Sequence, residues 1–88
     1  MPYLVESPHT KEECLKALDE QLAMGPDVLK KYYFGCIAGD HTGYVIADVK
    51  TEGEARRLVP SFLLNKARIV EIGQITPEMI RSFHTKAA

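Results

Sequence analysis

The sequence predicts an α+β fold, a four-stranded antiparallel sheet with two helices on one face and a short C-terminal helix. Three observations predict it. Residues 33–49 read as a hairpin, two apolar runs around the glycine-bounded turn Gly39-Asp40-His41-Thr42-Gly43. A capping-box pattern opens a helical stretch on each side of that hairpin, Thr10-Lys11-Glu12-Glu13 before it and Thr51-Glu52-Gly53-Glu54 after it. The runs 2–7 and 67–75 read as the first and last strands of the chain.

Taken in order, Tyr3, Val5 and Ser7 alternate with Leu4 and Glu6, a strand that Pro8 ends. The first helix is expected over about 10–24, its stripe formed by Leu15, Leu18 and Leu22 at i, i+3 and i+7. Gly25 suits a helix C-terminus and Pro26 stops continuation, with residues 27–31 adding a further turn. After the hairpin, Ala55, Leu58, Val59 and Phe62 lie on one side of a second helix that Pro60 ends or kinks near Val59. Thr76-Pro77 caps and starts a last helix reaching about His84.

This β-α-β-β-α-β order is the ferredoxin-like split arrangement, with spatial strand order 4-1-3-2. Both faces of the central strands are apolar, since Tyr44 and Ile46 oppose Val45, Ala47 and Val49, and Tyr3 and Val5 oppose Leu4. Two helices cover one face. The open face predicts a partner, most simply a second copy in a homodimer. The alternative cover is the last helix, through Met79, Ile80 and Phe83.

At 88 residues the chain is expected to form a single domain, 1–88, with a frayed tail at 85–88. A net charge of −1 offers no basic excess for nucleic acid or an anionic membrane, so neither is an expected partner. No apolar run approaches the roughly 20 residues of a membrane span. The N-terminal residues lack a basic stretch followed by an apolar one, so no signal peptide is expected. The expected setting is a reducing cytoplasm in which Cys14 and Cys36 are free thiols.

Ile37-Ala38-Gly39, the polar turn, Tyr44, Asp48-Val49 and a helix reaching Leu58-Val59-Pro60 before a last strand resemble the muconolactone-isomerase-like members of the dimeric α+β barrel superfamily. The resemblance spans about residues 33–75, and the whole chain looks more like small bacterial proteins of unknown function in that superfamily. It implies a ferredoxin-like protomer, a dimer with sheets back to back, and a small-molecule cleft between sheet and helices. Activity does not follow from the fold.

Strands one and three are expected to run alike, with two and four opposed. That arrangement collects Ser7, His9, Tyr33, Asp48 and Arg68 at one end of the sheet, beside both helix N-termini. There His9 and Asp48 are the candidate catalytic residues, and Ser7, Tyr33 and Arg68 the candidate contacts for a small, anionic organic ligand. The opposite end receives Asp40 and His41, so His9 and His41 are not expected to share a site. Cys36 is expected within a strand and Cys14 beside the leucine stripe, both as inert packing. There is no CxxC, HxxxH or HExxH, and no cofactor or metal is assigned. Two alternatives stand beside the ligand-binding reading: a metal site of Asp40, His41 and His84, and a non-catalytic structural or regulatory module. Whether the chain is an enzyme is left open.

Overall fold

The computed structural model describes residues 1–87, with side chains through residue 85. Its elements are β1 (Pro2–Pro8), α1 (Cys14–Ala23), α2 (Pro26–Lys31), β2 (Tyr33–Phe34), a 3-10 turn at Cys36–Ala38, β3 (Thr42–Asp48), α3 (Glu52–Arg56), a second 3-10 turn at Ser61–Leu63, β4 (Arg68–Glu71) and α4 (Pro77–Ala87). The expected tail at 85–88 falls partly on residue 88, outside the described residues. The fold is α+β, with one four-stranded antiparallel sheet in the order β2-β3-β1-β4 and a C-terminal helix. No described helix is long and apolar enough to cross a membrane.

The direction of the central strands corrects the sequence reading. β1 and β3 are antiparallel neighbours, Pro2 facing Asp48 and Pro8 facing Thr42. The helical crossover returns the chain so that β2 runs in the direction of β1, and the tight return after β2 then reverses β3. The end of β1 therefore lies beside the start of β3.

That return is made by glycine. Gly39 has φ 91°, in the left-handed region where side chains are strained. A Cβ on Gly35 would lie 2.6 Å from the Asp40 carbonyl oxygen. The backbone closes there, with the Asp40 amide donating to the Gly35 carbonyl at 3.0 Å and the Gly35 amide to the Thr42 carbonyl at 3.0 Å. The close approach cuts β2 to Tyr33–Phe34 and turns Cys36 out of the strand in which it was expected.

Alternation on the strands sets the two faces. Val5, Ser7, Val45 and Ala47 are buried, and Ala17, Tyr32, Ala55, Val59 and Leu63 pack with the valines as the core. Leu4, Glu6, Tyr44 and Ile46 occupy the other face, where Ile46 is 64% exposed.

α1 does not use its leucine stripe for the core. Leu15 and Leu22 are 69% and 57% exposed, whereas Ala17 and Gln21 are buried. Ala17 presents little bulk to the sheet. Gln21 has a polar partner inside, its Nε2 donating to the Leu58 carbonyl at 3.1 Å, beside the Tyr32 hydroxyl, which donates to the same oxygen at 2.6 Å. Cys14 lies at i−3 from Ala17 and i−7 from Gln21, so the helix rotation that buries these two carries Cys14 on the same side.

Candidate metal centre

Antiparallel pairing of β1 and β3 puts His9 and His41 together. The His9 amide donates to the His41 carbonyl at 3.0 Å, closing the ladder, and the two rings meet edge to face at 5.9 Å between centroids. The capping box ahead of α1 brings Cys14 to the same place. The Thr10 amide donates to Glu13 Oε1 at 2.8 Å and the Glu13 amide to Thr10 Oγ1 at 3.2 Å, which fixes the turn between His9 and Cys14. The 3-10 turn after β2 supplies Cys36 from the other side.

The outcome is a cluster of His9, Cys14, Cys36 and His41 whose ligand atoms all lie within 4.8 Å of one another. A tetrahedron with metal–ligand distances of about 2.0–2.3 Å has edges of about 3.3–3.8 Å, so contraction of about 1 Å along the longest separation seats an ion. One edge is already at that length, with His9 Nε2 3.3 Å from Cys36 Sγ.

The surroundings prepare the ligands. His9 is 8% exposed, and its Nδ1–H donates to the Ser7 carbonyl at 3.2 Å, which leaves the Nε2 lone pair facing the cluster. His41 Nδ1 is buried without a hydrogen-bond partner. A buried, unpaired imidazole nitrogen costs free energy unless something takes its lone pair or its proton. Cys36 works the other way: burial, then the hydrogen bond and charge of the neighbouring Cys14 sulfur, push its thiol upward, so an entering ion has to displace the proton to bind the thiolate. Both cysteines are free and partly buried. Two thiolates and two imidazoles form a borderline-soft, closed donor set that suits Zn²⁺ and its neighbours in the first transition row.

The other sequence-predicted site residues fall elsewhere. Asp48 faces Pro2 at the far end of β1 and accepts from the Met1 ammonium at 3.0 Å. Six residue steps separate Pro2 from Pro8, so Asp48 lies roughly 20 Å from His9 at about 3.3 Å per step. Tyr33 is 76% exposed and faces Tyr44, and Arg68 pairs with Glu6 at 3.6 Å, across the sheet from the buried Ser7. Only Ser7, through its carbonyl, belongs to the surroundings of His9. The space between sheet and helices at Ser7, His9, Tyr32, Phe34 and Leu63 is about 10 Å³, no more than one water requires.

Asp40 accepts hydrogen bonds from the hydroxyls of Tyr44 and Thr42, which hold its carboxyl below the usual range. It orders the turn but is outside the cluster, as is the exposed His84 on α4. The expectation that His9 and His41 lie apart is overturned by the strand direction. A signal for the cluster was present in the mirrored spacing His9-x4-Cys14 and Cys36-x4-His41. It has none of the short spacings by which metal sites are usually sought.

In comparisons with protein-family models, curated proteins and solved structures, nothing matches this chain, and the site carries the functional argument by itself.

Proposed function

We propose that this protein binds a borderline-soft transition-metal ion, with Zn²⁺ as the reference case, through His9, Cys14, Cys36 and His41. The observation that carries this reading is the convergence of four such ligand atoms within 4.8 Å from separate segments, one imidazole being fixed by a backbone carbonyl and the other having a buried unpaired nitrogen. Four protein ligands leave no open coordination position for a substrate, so the reading is of a structural, storage or sensing site rather than a hydrolytic one. The ion would tie the end of β1, the start of α1, the 3-10 turn and the start of β3 into one unit.

Titration of the reduced protein with Co²⁺ tests it. The expected result is a 1:1 endpoint with thiolate-to-metal charge-transfer absorption and the visible bands of tetrahedral cobalt, displaced by one equivalent of Zn²⁺. Absence of a 1:1 endpoint, or the same spectrum from Cys14→Ser and Cys36→Ser, would refute it.

With this site goes a ferredoxin-like protomer in a homodimer formed through the open sheet face. Read from the β4 edge, the strand order is 4-1-3-2, which supports the first part. The exposed Ile46 and Tyr33 on that face support the second.

A further inference from the structure

We propose that α4 is an exchange arm, its apolar side lying on the open sheet face of a second copy of this chain. This rests on the homodimer reading above and names the contact that makes the dimer. Among the described residues, the open sheet face and the apolar side of α4 both lack a cover. On the sheet, a groove of about 220 Å³ is bounded by Leu4, Tyr33, Tyr44 and Ile46, with Lys31 at its rim, and has room for a phenyl ring. On α4, Met79, Ile80 and Phe83 stand at i, i+1 and i+4, all exposed. Glu78 and Arg81, paired at 3.1 Å, are exposed on the same helix.

The arm leads away from its own body. The molecule is 51 Å along its longest axis, with a radius of gyration of 16.0 Å. A compact chain of 88 residues has a radius near 12 Å. The helix also fits the surface it would cover. Eleven residues of α4 make a rod of about 16 Å, against about 23 Å for the seven residues of β3. A two-fold axis makes the contact reciprocal, each copy giving one arm and receiving one, so that both apolar faces are covered without leaving an open end. A sheet-to-sheet contact alone would leave the arm's apolar residues in water.

The test uses the full chain in two surface variants, Ile80→Asp with Phe83→Asp on the arm and Ile46→Lys on the sheet. Light scattering after gel filtration gives the mass, and the thermal melt and Co²⁺ spectrum show that each variant is folded. Each variant alone should dimerise at least about 100-fold more weakly than the wild type, because large apolar side chains lose their burial. A mixture of the two should regain heterodimer, since one intact arm then meets one intact face. A wild-type-strength dimer from the arm variant would overturn the exchange while leaving the homodimer in place. A wild-type chain that is monomeric at 100-fold the concentration of the assay would overturn both.

Discussion

Replacing Cys36 by Ser should separate metal binding from folding. Cys36 Sγ is 3.3 Å from His9 Nε2 and so shares any coordination sphere that His9 joins, but the residue sits on the 3-10 turn and is no part of the core. With metal at 100 times its Kd, binding stabilises the wild type by about 2.7 kcal/mol. For a domain of this size that corresponds to a Tm increase of about 10–20 °C. Loss of a group that merely supports a ligand typically costs 10- to 100-fold in affinity, and loss of a thiolate ligand should cost more than 100-fold. At the same metal concentration the variant would then gain no more than about 0.4 kcal/mol, a shift of about 3 °C or less. Without metal its Tm should stay within about 4 °C of the wild type, as for a substitution outside the core. Differential scanning fluorimetry of both proteins, reduced and chelator-treated, then with Zn²⁺, measures all four melts. Equal metal-induced shifts in the two proteins would refute the assignment of Cys36, and no shift in the wild type would refute the site.

Three further outcomes are expected. Gly35→Ala should cost about 1–3 kcal/mol in urea unfolding and weaken Co²⁺ binding, because its Cβ would meet the Asp40 carbonyl at 2.6 Å, whereas Gly73→Ala, with open space around it, should be neutral. Oxidation by peroxide should join Cys14 to Cys36 and abolish the Co²⁺ spectrum. The 22-residue separation between them (36 − 14) gives the disulfide form about 3 kcal/mol of added stability over the reduced, metal-free chain, read as a higher urea midpoint. The Glu13 carboxyl is held at about 2 rather than 4.5, chiefly by the Thr10 amide and then by Lys66. Its folded-state value is depressed, so its contribution is present above about pH 4.5 and is lost as pH falls through about 2. Glu13→Gln should flatten the loss of stability across that window.

The local signals were legible because each depends on neighbours in sequence. The reciprocal Thr10–Glu13 bonds formed, though as a turn ahead of α1, which begins at Cys14 rather than near Thr10. Thr51 caps α3 by accepting from the Glu54 amide, Thr76 accepts from the Met79 amide, and Val45 and Ala47 alternate with Tyr44 and Ile46 as read. The helix face was misread because hydrophobicity favours Leu15 and Leu22, while packing against the sheet favours the small Ala17 and a Gln21 with a carbonyl to bond. The site was obscured for a different reason. Its members come from two pairs, 9 with 14 and 36 with 41, and only the relative direction of β1 and β3 decides whether those pairs meet. Periodicity within each strand is the same in either direction. The close approach of Gly35 to Asp40, which removes Cys36 from the strand, is likewise invisible to a pattern of apolar residues.

The ladder that ends with the His9 amide on the His41 carbonyl makes the cluster a gauge of strand register. A slip of one residue between β1 and β3 would turn His9 to the opposite face of the sheet, and a slip of two would carry it about 7 Å along the strand from His41. In either misaligned sheet the four ligands no longer converge, so a metal ion would bind the correctly paired chain and discriminate against its near neighbours. The apolar alternation rejects the one-residue slip without help, since it would turn Val5 (or, if β3 moved instead, Val45) out of the core. It is nearly blind to the two-residue slip, which returns apolar side chains to the same face. The ion would therefore act where hydrophobic patterning is weakest, penalising the error that burial alone tolerates.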